Sequence, residues 1–114
     1  YAYPFFFYNN MAEIDNLVKE IKQATDYQAN RRTLRERIQT ELHMTYSNGL
    51  FKITPELIAF VATWNSDELY LEDTYENPIK VDRTEFLEKT QQHYQAVMNE
   101  WHQQYNELRR LRRV

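Results

Sequence analysis

No cysteine occurs among the 114 residues. Disulfides and thiolate metal sites are therefore excluded, and the redox compartment is not written in the chain. The single glycine, Gly49, rules out a glycine-rich phosphate loop. Three prolines are the only other strong breakers, so the chain favours long regular elements over tight turns. Two serines, Ser47 and Ser66, both fall where the chain turns, which leaves no nucleophile arrangement of the usual kind. No apolar run approaches the roughly 18 residues that would span a bilayer, so no membrane partner is expected. The histidines, His43, His93 and His102, lack metal-binding spacing. His93 and His102 stand about 13 Å apart by helical rise. No cofactor, no metal and no catalysis are expected.

Tyrosine is plentiful, at nine of the chain's aromatic residues, and suits surfaces that bury a ring and keep its hydroxyl wet. Hydrophobic residues at 42% and charged residues at 27% place the chain among globular proteins rather than disordered ones. The net charge of −3 is unevenly spread. Residues 50–82 set two lysines against seven carboxylates, whereas residues 83–114 carry six basic groups against four acidic ones. An acidic middle and a basic tail can attract each other, within one chain or between two.

The strongest pattern lies in the last third. Leu87, Thr90, Tyr94, Val97, Trp101, Gln104, Leu108 and Leu111 follow an unbroken alternation of threes and fours. Such spacing lays a narrow stripe along one side of a helix, as in a coiled-coil seam. Asp82 and Glu85 form its capping box, and Glu85 and Glu88 near the start complement the helix dipole. At the other end Arg109, Arg110, Arg112 and Arg113 do the same. They are also the candidates for phosphate contact, or for contact with an acidic partner. A helix of this length, about 45 Å, needs another long helix beside it.

Residues 12–45 supply that helix. Ile14, Leu17, Ile21 and Ala24 keep the spacing, Val18 broadens it, and Leu34, Ile38 and Leu42 resume it. Between them lies a polar stretch, with Arg31, Arg32, Arg35 and Arg37 crowding its second half. Matched lengths favour antiparallel pairing. Ahead of this helix, Tyr1, Tyr3, Phe5, Phe6, Phe7 and Tyr8 make an aromatic arm, expected to pack in extended form on its own domain or a neighbouring copy. As a sharper alternative, the arm docks a foreign partner.

Gly49 reads as the stop of the first helix, taking a positive φ. Leu50–Ile53 is short and β-compatible. Thr54 and Pro55 open a helix over 55–64 that is apolar on all sides and so belongs in the middle of a core. Residues 68–81 alternate around a turn as a β-hairpin, to which Leu50–Ile53 adds a third strand. The hairpin carboxylates Asp67, Glu68, Glu72, Asp73 and Glu76 read as a solvated acidic rim. The expected fold is a single α+β domain over 1–114, mostly α. Two long antiparallel helices (about 12–45 and 83–113) flank a small head made of the apolar helix and the hairpin.

The runs Trp-Asn-Ser-Asp-Glu-Leu-Tyr-Leu-Glu-Asp-Thr-Tyr-Glu-Asn-Pro-Ile-Lys-Val-Asp-Arg (64–83) and Gln-Gln-His-Tyr-Gln-Ala-Val-Met-Asn-Glu-Trp-His (91–102) resemble small proteins of marine T4-like phages of cyanobacteria. No functional residue carries over from that group. The resemblance implies a phage-encoded protein located in the host cytoplasm or on the virion, with a phage or host protein as partner. The expected function is a non-catalytic interaction or assembly protein that forms homo-oligomers through its long helices. A nucleic-acid-associated regulator using the arginine-rich helices is the alternative.

Overall fold

A computed structural model of the chain describes the backbone of residues 3–112 and the side chains of residues 11–111. The described residues form three helices and two β-hairpins in the order α1 (Tyr3–Glu41), β1 (His43–Tyr46), β2 (Gly49–Lys52), α2 (Pro55–Thr63), β3 (Glu68–Glu72), β4 (Pro78–Asp82) and α3 (Arg83–Arg112). The fold is α+β and mostly α, with long helices flanking a small head. Its extents are 86 × 25 × 20 Å and its radius of gyration is 23.9 Å. A compact chain of this length would have about 13 Å, so the molecule is a head on a long stalk.

The helix starts follow their chemistry. At α2, the Thr54 hydroxyl accepts from Leu57 N at 3.1 Å, and Pro55 occupies the first turn, where a missing N–H costs nothing. At α3, Asp82 Oδ1 accepts from Thr84 N at 3.1 Å and Glu85 N at 3.3 Å. Arg83 then does a second job. Its Nε donates to Val61 O at 3.0 Å, which also accepts from Trp64 N, and its Nη2 to Ala62 O at 2.7 Å, so that the guanidinium closes the end of α2.

The first helix differs from its expected bounds at both ends. Tyr3–Asn10 continues α1 instead of forming an extended arm, because nothing after Pro4 interrupts it and proline is tolerated in a first turn. Tyr1, and the side chains of Tyr3, Phe5, Phe6, Phe7 and Tyr8, lie outside the described residues. At the other end His43–Tyr46 leaves the helix and becomes a strand, paired antiparallel with Gly49–Lys52. The two-residue turn between them places Ser47 and Asn48 at φ 50° and 68°, the conformation of a hairpin whose twist matches its strands. Gly49 has no positive φ. It is needed for space: a Cβ there would lie 2.8 Å from Ile79 Cγ1, where the hairpins press together.

Residues 49–52 therefore do not extend the β3–β4 hairpin; two separate two-stranded sheets form. The second keeps the expected alternation, with Leu69 opposite Val81 and Leu71 opposite Ile79. Phe51, Ile53, Val61, Leu69, Leu71, Val81 and Phe86 form the head core. Phe86 is fully buried and meets Tyr46 and Phe51 edge-on, with both centroid distances 5.2 Å. Asp73 is not part of a solvated rim. It is buried and accepts from Leu50 N, Tyr75 N and Asn77 N at 3.3, 3.0 and 2.8 Å, tying one hairpin to the turn of the other. Those bonds, led by the one from Asn77, hold its carboxyl below the usual range. Nor is α2 central: Val61 alone is buried in it, and Phe60 and Trp64 stack on its outer side. A nine-residue helix that packs one side against α3 and the head core leaves its other side to solvent.

Candidate interaction surface of the stalk

Where α1 and α3 run antiparallel, a second core forms from Leu34, Ile38, Leu42 and Val97. Tyr94, Met98, Trp101, Tyr105 and Leu108 pack against it half-buried. The head end of this seam is fastened by His93, whose Nε2 lies 2.7 Å from Glu41 O as the donor to that carbonyl. Beside it the Glu41 and Glu100 carboxyls meet across the two helices. A hydrogen bond shared with Glu100 is the main cause that raises the Glu41 pKa, while Arg37, at 3.8 Å, pulls the other way.

The structure distributes the seam residues unevenly. Thr90 and Val97 are buried, Leu87 is half-buried against the head, and Tyr94 touches both cores. Trp101 and Leu108 are half-buried on the stalk, and Leu111 is 70% exposed. Leu111 sits opposite Asn30 and Thr33, so the stripe outlives its apolar counterpart. Phe86, one position before the stripe, is the largest fully buried side chain of α3. Its adjacency to Leu87 was the available sign that the stripe widens where α3 enters the head.

On one flank the stalk opens into a groove of about 420 Å³ lined by Arg31, Arg35, Met98, Trp101, His102 and Tyr105. Arg109 stands next to the groove, with Cζ 5.7 Å from the centre of the Tyr105 ring. Among the described residues Arg31, Arg32 and Arg35 make no ion pair. The site is thus an aromatic floor edged by guanidinium groups, suited to an apolar surface carrying negative charge. Arg109 and Arg110 are exposed; Arg112 lies in the last turn of α3, its side chain undescribed, and Arg113 is outside the described residues.

Below Arg112, α1 continues with no other described element beside it. Met11, Ile14, Leu17, Val18 and Ile21 are 52–57% exposed. Glu13, Asp15, Glu20 and Asp26 surround them and outnumber Lys19 and Lys22. Among the described residues no three metal-ligating side chains converge and no helix is long and apolar enough to cross a membrane. Comparison of the chain with protein-family models, curated proteins and solved structures found no match.

Proposed function

We propose that the chain is a non-catalytic interaction or assembly protein that oligomerises through its long helices. The observation carrying this reading is the free half of α1, an apolar stripe at coiled-coil spacing with, among the described residues, no other helix of the chain beside it. Contiguous exposed apolar surface of this kind marks contact sites on proteins, and a helix in water without a packed face is marginal. A phage setting, in the host cytoplasm or on the virion, belongs to the same proposal and rests on the resemblance of residues 64–83 and 91–102. Light scattering at tens of micromolar tests the association. A mass above 14.0 kDa is expected, and a clean monomer contradicts the reading.

The groove supports a second reading, a nucleic-acid-associated regulator. Trp101 and Tyr105 offer rings on which bases stack, and Arg31, Arg35 and Arg109 stand where phosphates would pass. A gel shift of labelled single-stranded DNA or RNA that weakens steeply with salt would favour it.

A further inference from the structure

Resting on the interaction reading, we infer that the free half of α1 pairs antiparallel with α1 of a second copy about a two-fold axis near Ala24, each copy laying its acidic stripe along the other's arginine-edged groove. Three observations converge on that occupant and that direction.

The first is a line of positions. Ile14, Leu17, Ile21, Ala24, Gln28, Arg31 and Arg35 follow each other at uninterrupted spacings of three and four, so they share one side of α1. The groove occupies the upper part of that side, where α3 contributes Met98, Trp101 and Tyr105. The bare apolar stripe occupies the lower part. Groove and stripe are therefore one continuous track along a single helix, half of it roofed by α3.

The second is charge. Glu13 and Glu20 flank this line in the lower half, whereas Asp15 and Asp26, like Lys19 and Lys22, turn away from it; in the upper half Arg31 and Arg35 lie on the line, with Arg32 beside it. Among the described residues neither set is used in an ion pair. Parallel pairing would set acid on acid and arginine on arginine. Antiparallel pairing sets each against its opposite, and like charges in register are a strong bias against the wrong arrangement.

The third is distance. Glu13 and Arg35 are equally far from Ala24 along the chain, each about 16 Å by helical rise. An axis at Ala24 therefore brings Glu13 of one copy level with Arg35 of the other, and Leu17 level with Arg31, whose aliphatic stem can cover it. Every contact then occurs twice, as an interface between identical surfaces requires. Ala24 and Thr25, small and exposed, sit at the crossing and let the helices approach.

The cysteine-free chain makes the test direct. Ala24→Cys should form a covalent dimer on mild oxidation. Leu17→Cys alone should not, since the two copies of that position would stand about 21 Å apart, but mixed with Arg31→Cys it should link. Arg35→Glu should weaken the dimer by about tenfold, and adding Glu13→Arg should restore it. Linking of Leu17→Cys to itself would overturn the antiparallel direction. A mass above 14.0 kDa with no link at Ala24→Cys would leave the interaction reading standing and overturn this pairing. A wild-type monomer would overturn both, as would a monomer whose groove binds a single-stranded oligonucleotide that Arg31→Glu/Arg35→Glu releases.

Discussion

The head and the free half of α1 are built from similar apolar side chains and treat them in opposite ways. In the head, Phe51, Ile53, Val61, Leu69, Leu71, Val81 and Phe86 lose nearly all exposure to one another. In α1, Met11, Ile14, Leu17, Val18 and Ile21 each keep more than half of theirs. The head closes because its two hairpins, α2 and the first turns of α3 enclose a common centre. The free helix stays open because α3 spends its first turns in the head and meets the end of α1 only at His93, so too little of α3 is left to reach the lower stripe. Folding of the monomer is thus supplied by the head and the upper stalk. The lower stalk adds little to it, and its pattern makes sense as surface for association.

The largest effect that can break this contrast is in the head. Phe86→Ala removes a fully buried ring and two edge-on partners, at a cost of about 3–5 kcal/mol. Against a total of roughly 5–15 kcal/mol for a domain, circular-dichroism melting should show loss of the fold or a sharply lower Tm. Ile21→Ala, equally apolar but exposed, should change the monomer by less than about 0.5 kcal/mol. Comparable losses from the two would erase the distinction drawn between the regions.

An intermediate effect is expected on the upper stalk. Trp101 is half-buried, so Trp101→Ala should cost about 1–2 kcal/mol in folding. Gln103→Ala, on the exposed side of the same helix, should cost less than about 0.5 kcal/mol. Equal melting temperatures would mean that the side of α3 bearing Trp101 does not face α1. Next in size, Gly49→Ala should destabilise the head by about 1 kcal/mol, since the new methyl meets Ile79 Cγ1.

The smallest effect sharpens the contrast through pH. Asp73 in the head has a lowered pKa, so its contribution is present at neutral pH and lost as pH falls through the folded value. Glu41 in the stalk has a raised one, so its contribution is present in acid and lost as pH rises through its folded value. Glu100→Gln, which removes the facing carboxylate, should therefore raise Tm at pH 7, and the gain should shrink towards pH 4. A gain that grows in acid would contradict the assignment.

Much of this architecture was legible in the chain. Thr54-Pro55 and Asp82 with Glu85 set helix starts through local hydrogen bonding that needs no tertiary context. The alternation of 68–81 survives because its inward side faces one core. What was hidden depended on neighbours. His43–Tyr46 extends a helical pattern equally well as a strand, and only the partner strand after Ser47-Asn48 decides. Gly49 looked like a helix stop, yet its role is a close approach to Ile79, some 30 residues later in the chain. Asp73 looked solvated because its three donors come from backbone amides, which no side-chain pattern reports. In the stalk, a heptad names the buried side of a helix but not how far the opposing helix reaches. That is why Leu111 continues the stripe yet lies exposed, and why the groove of Arg31, Arg35, Met98 and Tyr105 has no counterpart in the spacing.

Amide hydrogen exchange followed against protein concentration tests the central contrast most directly. Residues in the head should exchange at the same slow rate throughout, because their protection comes from their own chain. Residues 11–25 should exchange quickly when dilute and slow progressively as concentration rises through the micromolar range, in step with the growth of a dimer. Protection of 11–25 that is already high when dilute, or that never changes with concentration, would contradict the account.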